Sequence, residues 1–574
     1  MRRSRALLAL AVALAAFFTI QAYAQKNIGH NRPLKCVYFI PSDCEPNADR
    51  AERLCRVMKC VQDFYRQEME RNGFGAISFG LEEEKPGELK LYEVRAPGKQ
   101  EDYGRDSAWA VRDVVAKELA KQGIDVGKEV IVIFQLGLRW EGKKAVEVGP
   151  FVGSGAVSYG TAWFYDDPML DPDNLSSKEP GGYYNGACSV GEFNSHYIGG
   201  IAHELGHALT LPHDCELATE RPIFGNALMG AGNHTFGNDL RGEGKGAFLT
   251  FSEALRLSVV PAINGKVPVR RANDVKLTDL KGTRVSKNVV RFSGRIEAKS
   301  PVLGLVFYED LDSRRSDYDA KTWTVKPDED GTFEVELTEV APEPSELRVC
   351  AVCDVDTVQL LKVAYNPNGN EGEFGPIEYE FQIQKVAAAY SARDSKTLRT
   401  LASEELKSNE NLKTLCEELA LIIESPETPE TPANVDDKSA SFDLSNAAFT
   451  VQRVGWSRLT RHAFFDGSLL VVGNKAYSSG LCAHAPSELS CDLGKKWKSF
   501  RFGYGLEKGG TGSVVFVVYG DDEELFRSAL ISDRELHESS VDVSNVQTLK
   551  LVVEDGGNGN NSDHSVWIEP KLLR

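Results

Sequence analysis

With 574 residues, of which 42% are hydrophobic and 26% charged, the chain has the composition of a globular protein and room for three or four separate cores. A formal net charge of −18 argues against a polyphosphate partner, since nucleic-acid binding draws on a basic surface. Beyond the N-terminal segment no apolar run is long enough to cross a bilayer, so no transmembrane anchor is expected.

The N-terminal segment reads as an export signal. Arg2, Arg3 and Arg5 are basic, Ala6 to Phe18 is apolar, and Ala22-Tyr23-Ala24 is an A-x-A cleavage site. This predicts a signal peptide over 1–24, a mature chain from Gln25 and a secreted or periplasmic location. Eleven cysteines in an exported chain predict disulfides with at least one thiol left over, and Cys188 and Cys215 are candidates to staple the segment between them. Cys350-Ala-Val-Cys353 has redox spacing but falls in a strand-like stretch, which favours a structural role.

Residues 25–265 read as one α/β domain. Cys36 to Ile40 is a short strand, and a long helix follows with Leu54, Val57, Val61, Phe64 and Tyr65 on one side. A second helix from about Ser107 to Lys121 turns Trp109, Val114, Val115 and Leu119 inward, and Val130 to Leu136 has the continuous apolar character of a central strand. Gly153 to Phe164 reads as an edge strand to which an extended peptide could add itself. The acidic loop Asp166, Asp167, Asp171 and Asp173 offers oxygen ligands for Ca2+, with a solvated loop as the competing reading.

The strongest chemical pattern follows. In Ile201-Ala-His-Glu-Leu-Gly-His-Ala-Leu-Thr-Leu-Pro-His213-Asp214, a helix puts His203 and His207 four residues apart on one face with Glu204 beside them. Pro212 ends the helix and lets the chain return His213 as a third nitrogen ligand, which leaves the fourth position of a Zn2+ site open for hydrolytic chemistry. Asn194 and Ser195 are candidate caps, and Ile198, Ile201, Ala202, Leu205 and Leu209 form the inward stripe. Asp214 is expected to orient the ligand loop.

This run resembles the metzincin clan of zinc endopeptidases, whose pattern H-E-x-x-H-x-x-G-x-x-H is followed by a methionine turn. Asn226-Ala-Leu-Met229-Gly-Ala matches that turn, and the resemblance implies that Met229 packs beneath the ligands. Thr210 stands where the family has glycine, which puts the approach of His213 in question, and Glu253 is a rival third ligand.

Residues 266–385 turn to short alternating runs at sandwich spacing, expected as an immunoglobulin- or fibronectin-like spacer. Residues 386–424 have helical leucine spacing, expected as a helical hairpin, and 425–440 contain a Pro-rich extended linker. The strand-rich unit 441–574 carries Val454-Gly-Trp456, Gly480-Leu-Cys-Ala-His484 and Asp555-Gly-Gly-Asn-Gly-Asn-Asn-Ser-Asp-His564-Ser-Val-Trp567, and it resembles the NPCBM family of carbohydrate-binding modules. Trp456, His484, Asp563, His564 and Trp567 supply the apolar faces and polar groups that sugar binding requires.

The expected protein is therefore multidomain: an α/β metzincin-like catalytic domain, a middle β-sandwich, a short helical segment and a C-terminal β-sandwich carbohydrate-binding module. Its expected activity is that of an exported zinc endopeptidase acting on extracellular proteins or glycoproteins, with Glu204 as general base and His203, His207 and His213 as metal ligands. The alternative is a surface glycan binder with a structural metallopeptidase-like domain.

Overall fold

The computed structural model describes residues 32–104, 107–136, 140–141, 144–145, 152–184, 186–266, 275–311, 317–341, 343, 345–354, 356–365, 375–425, 428–473, 475–507, 512–533, 535–557, 559–560 and 562–574. The export signal expected over 1–24 lies outside the described residues. Contacts divide the chain into two units, one ending at residue 374 and one running from 375 to 574.

The first unit begins with a five-stranded sheet in the spatial order Tyr92–Arg95, Lys35–Ile40, Val130–Leu136, Tyr159–Asp166, Val152–Ala156. The first four strands are parallel and the last runs antiparallel along the edge. Val130–Leu136 is buried throughout because helices cover both faces, hence its unbroken apolar sequence. Arg50–Arg71 and Val190–Ala208 pack on one side through Leu54, Val57, Val61, Tyr65, Ile198 and Leu205. Ala108–Ala120 packs on the other through Val111, Val115 and Leu119. Trp109, expected to face inward, is 62% exposed and lies near the Arg112 guanidinium instead. At the first turn of that helix, Val111 takes the inward position.

The acidic loop is spent on structure rather than arranged as a calcium cage. Asp166 is buried against Arg53, with an Nη1–Oδ1 separation of 2.9 Å, and accepts hydrogen bonds from Tyr38 and Asn47. Asp171 pairs with Arg56, and Asp167 accepts from the Met169 N–H. All eleven cysteines are free thiols, seven of them buried, so the expected disulfides are not formed. The buried ones serve as small apolar core residues, with Cys36 and Cys55 inside the first core.

Residues 276–365 form two antiparallel sheets of three and four strands. This sandwich is no detached spacer. Leu255 and Val259 of the first domain share a core with Val306, Tyr308 and Val352 of the sandwich. The Cys215 N–H donates to Ala320 O at 2.8 Å, and the half-buried Arg256 lies beside Tyr308 and Cys350. Cys350 and Cys353 lie on one strand of this sandwich and are not joined by a disulfide.

In the second unit, helices Gly375–Ser391, Ser395–Thr400 and Glu410–Glu424 form a cluster around Val386, Leu398, Leu415 and Leu419. Helix thus begins before residue 386. Leu469 and Ala476 of the following sandwich join the same cluster, and Tyr390 donates to His462 O at 2.9 Å. The segment expected as a Pro-rich extended linker is docked on the sandwich that follows: Pro432 O accepts from Trp497 Nε1 at 3.2 Å, and Val435 is buried in the sandwich core. Proline stiffens such a segment without keeping it off a surface. The sandwich itself faces a five-stranded sheet with another built on Gly480–His484, His564–Leu573 and Ser499–Leu506. No helix among the described residues is long and apolar enough to cross a membrane.

Candidate functional site

The Val190–Ala208 helix starts at a capping box: Ser189 accepts from the Glu192 N–H, and Glu192 accepts from the Ser189 N–H. Asn194 and Ser195, expected as caps, lie inside the first turns and are fully buried. Asn194 holds Met169 and Asp171, while Ser195 accepts from Arg241 and from the Gly237 N–H.

At its other end the helix closes in a Schellman motif. The Thr210 N–H donates to His207 O at 3.0 Å and the Leu211 N–H to Gly206 O at 2.9 Å. Thr210 has φ +78°, the left-handed conformation that glycine adopts without strain. Its carbonyl accepts from Arg256, and its hydroxyl is buried without a partner. The turn that returns the chain toward the helix therefore forms with threonine in place.

His203, His207 and His213 come together, their nearest ligand atoms all within 4.8 Å of one another. Among the described residues they are the one group of three or more metal-ligating side chains so placed. His203 Nδ1 contacts Leu228 O at 2.7 Å and His207 Nδ1 contacts Leu211 O at 2.8 Å. A carbonyl only accepts, so both Nδ1 atoms carry the proton and both Nε2 atoms present a lone pair. His207 Nε2 lies 2.9 Å from His213 Nε2. His203 Nε2 is buried with no hydrogen-bond partner. Burial, then the neighbouring His207 imidazole, pushes the His203 pKa down to about 3, which keeps it neutral as a ligand must be. A buried, unpartnered nitrogen lone pair beside two further imidazoles fits a zinc ion.

Glu204 is half-buried, and burial raises its pKa to about 7 against the opposing hydrogen bond from the Gly153 N–H. That bond belongs to the edge strand Val152–Ala156, which runs close against the helix. A Cβ at Gly153 would lie 2.0 Å from Glu204 O, so this strand is glycine-rich because two backbones meet. Met229 is buried beneath the helix, and a Cβ at Gly206, between the two helical histidines, would lie 2.5 Å from its sulfur.

Glu253 does not join the histidines. It is buried, caps its own helix through Thr250 and accepts from the Met229 N–H at 3.0 Å, so it fixes the turn that carries Leu228 and Met229. Burial and then the Asp214 charge push its pKa well up. Asp214 is buried, accepts from Thr250, Ser252 and Thr322, and thereby ties the ligand loop to the sandwich.

Tyr318 was not legible as a site residue. It belongs to the sandwich, nearly half of it is exposed, and its ring stacks on His213 with centroids 3.6 Å apart. No spacing rule links it to the helix.

In the C-terminal sandwich, Trp456 is 53% exposed, with ring centroids 5.0 Å from Phe465, 5.7 Å from His484 and 5.9 Å from His564. Phe465 stacks near His564 at 4.5 Å and is an addition to the expected set. Its only sequence signal is the aromatic pair Phe464-Phe465 in an otherwise polar turn. Trp567 and Asp563 depart from expectation. Trp567 is fully buried between Phe502 and Phe516, and Asp563 is fully buried with Oδ1 accepting from the Ser513 N–H. The inward alternation of the last strand decides the first, and the closure of the glycine-rich loop the second.

Residues 440–573 match the NPCBM/NEW2 domain. No curated protein matches the sequence. Wild-type OgpA from Akkermansia muciniphila is similar in structure, with 23% identity over 61% of this chain and 98% of that one and a TM-score of 0.52. Catalytically inactive OgpA from the same organism, in complex with an O-glycopeptide (glycodrosocin) substrate, is similar at 23% identity over 60% of this chain and 96% of that one, with a TM-score of 0.51. At this identity the likeness is one of fold.

Proposed function

We propose that this chain is a zinc-dependent endopeptidase with a metzincin-like catalytic domain, that it hydrolyses peptide bonds in exported, sugar-bearing proteins, and that its C-terminal module binds carbohydrate. The observation that carries the reading is the convergence of His203, His207 and His213 around a buried, unpartnered His203 Nε2. His203, His207 and His213 would hold the ion. A zinc there supplies Lewis acidity toward water and a scissile carbonyl.

The chain's own groups do the rest. Glu204 takes a proton from the attacking water at its carboxylate and delivers it to the departing amide nitrogen. A pKa raised to about 7 suits a group that must both accept and release a proton near neutrality. Val152–Ala156 lies at the sheet edge beside the helix and offers backbone groups to an extended peptide. Tyr318 forms a wall against His213. Met229 and Glu253 hold the turn whose Leu228 carbonyl fixes the His203 tautomer.

The glycoprotein substrate is supported by the fold shared with a protein solved in complex with an O-glycopeptide. The carbohydrate module is supported by the NPCBM/NEW2 match and by the exposed Trp456 cluster. A sugar-binding module raises the local concentration of the cleft at a glycosylated surface without altering the chemistry. The test is metal analysis of the purified protein together with cleavage of an O-glycosylated protein by wild type and Glu204→Ala. Zinc-loaded wild type that cleaves neither glycosylated nor bare protein would refute the reading and leave the non-catalytic glycan binder.

A further inference from the structure

The edge strand Val152–Ala156 has two faces, and only one of them meets the metal-ligand helix. A Cβ at Gly153 or Gly155 would strike the backbone of that helix, at Glu204 O and Ala208 O, so these two residues face it. Val152 and Ser154 point the other way, paired across the ladder with Trp163 and Thr161. On that face lies the helix Ala108–Ala120, whose Ala108 packs with Val152 and Trp163 in one apolar cluster.

Two side chains of this helix stand outside its core. Trp109 is exposed, and Arg112, three residues on and so on the same side of the helix, is half-buried. The Arg112 guanidinium lies 6.0 Å from the Trp109 ring, and its Nε donates to Thr161 Oγ1 at 3.2 Å. Thr161 stands directly opposite Ser154, which is exposed. Among the described residues no carboxylate pairs with Arg112, and the nearest in sequence, Asp113, is turned about 100° around the helix.

A peptide that adds to this edge alternates its side chains between the two faces. Those opposite Gly153 and Gly155 lie toward the histidines, and those opposite Val152 and Ser154 lie toward Trp109 and Arg112. The added strand runs two strand spacings from Thr161, about 9–10 Å, a gap that Arg112 and a long acidic side chain close between them. The terminal nitrogens of a guanidinium form the fork that takes a carboxylate, and the indole face offers apolar surface to its methylenes.

We propose that Trp109 and Arg112 form a specificity subsite for an acidic side chain of the substrate polypeptide, on the face of the edge strand turned away from the metal ligands. The proposal rests on the peptidase reading and adds to it a preference in the peptide itself, separate from any sugar the substrate carries.

The experiment uses the full chain and O-glycosylated peptides of one sequence. In these, each of the three residues on either side of the cleaved bond, the glycosylated one excepted, is in turn glutamate, glutamine or lysine. For wild type, glutamate should exceed glutamine in kcat/KM roughly three- to tenfold at one position, or at two positions spaced two apart, chiefly through KM. Arg112→Gln should bring that ratio close to one, and Arg112→Glu should favour lysine at the same position. A merely structural bond from Arg112 to Thr161 would not give that reversal. Trp109→Ala should lower kcat/KM for the glutamate and glutamine peptides alike.

Calorimetric titration of Glu204→Gln, with and without Arg112→Gln, reads the same discrimination without turnover, and melting curves check that each variant is folded. Equal use of glutamate and glutamine peptides by wild type at every position overturns the subsite, as does a glutamate preference that survives in folded Arg112→Gln. Absence of cleavage of every peptide by zinc-loaded wild type overturns the peptidase reading instead. In that case glutamate-selective binding to Glu204→Gln that Arg112→Gln removes still supports the subsite, and its absence overturns it.

Discussion

Replacing Thr210 by glycine should stabilise this protein. A β-branched residue held at φ +78° costs about 1–2 kcal/mol relative to glycine. Its buried hydroxyl, which has no partner, costs about 1 kcal/mol more. Against this, glycine gives the unfolded chain about 0.4–1 kcal/mol of extra entropy and forfeits about 0.8 kcal/mol of methyl burial. The net gain is about 1 kcal/mol, or a rise in melting temperature of about 1–2 °C in a unit of this size.

The hydrogen bonds that close the helix come from the backbone at residues 210 and 211, so zinc content and peptide cleavage should be retained. Urea titration and thermal melts of wild type, Thr210→Ala and Thr210→Gly form the assay. Alanine removes the hydroxyl and the branch but keeps a Cβ, so it should fall between the other two. A Thr210→Gly protein less stable than wild type, or one that has lost its zinc, would refute the claim that the motif forms in spite of threonine.

Glu253→Ala strips the acceptor from two buried N–H groups, Met229 and Thr250, and should cost about 2–4 kcal/mol while weakening zinc retention against a chelator. Glu253→Gln keeps one oxygen acceptor for these two N–H groups and should cost less than alanine. Tyr318→Ala should raise KM for peptide cleavage, whereas Tyr318→Phe preserves the stack on His213 and should not. In the C-terminal module, Trp456→Ala should abolish glycan retention with an unchanged melt, and Trp567→Ala should lose about 3–5 kcal/mol of stability. Acid should weaken the first unit through His196. Its folded pKa of about 4 lies below the value of 6.5 expected when unfolded, so the unfolded chain binds more protons. Stability should fall by about 1–2 kcal/mol as pH drops from about 6.5 to 4, after allowance for solvent screening of a half-buried ring. His196→Gln should flatten that slope.

The parts of the candidate site that could be read from the chain were those encoded locally. Helical geometry alone sets His203 and His207 on one face with Glu204 beside them, whereas the helix, expected to end at Pro212, already ends at the left-handed Thr210 two residues earlier. The apolar run Val130–Leu136 and the stripe Ile198, Ile201, Leu205 likewise carry their burial in their periodicity. Where one face of a helix had to be chosen at its first turn, periodicity failed, and Trp109 went outward while Val111 went in.

What tertiary structure decided involves residues far apart in sequence that meet because two surfaces close on each other. Tyr318 reaches His213 only because the sandwich docks through Leu255, Val306 and the Cys215–Ala320 backbone bond. Glu253 became a prop for Met229 rather than a ligand because its helix lies under the turn. Trp456 and Trp567 are chemically identical in the chain, and only the strand's inward alternation and the packing of Phe502 and Phe516 separate a surface ring from a core ring. The sequence by itself determined which chemistry is available at residues 203 to 213. The packing of one domain against another decided what surrounds it, because burial and long-range contact are properties of the closed surface and not of any local spacing.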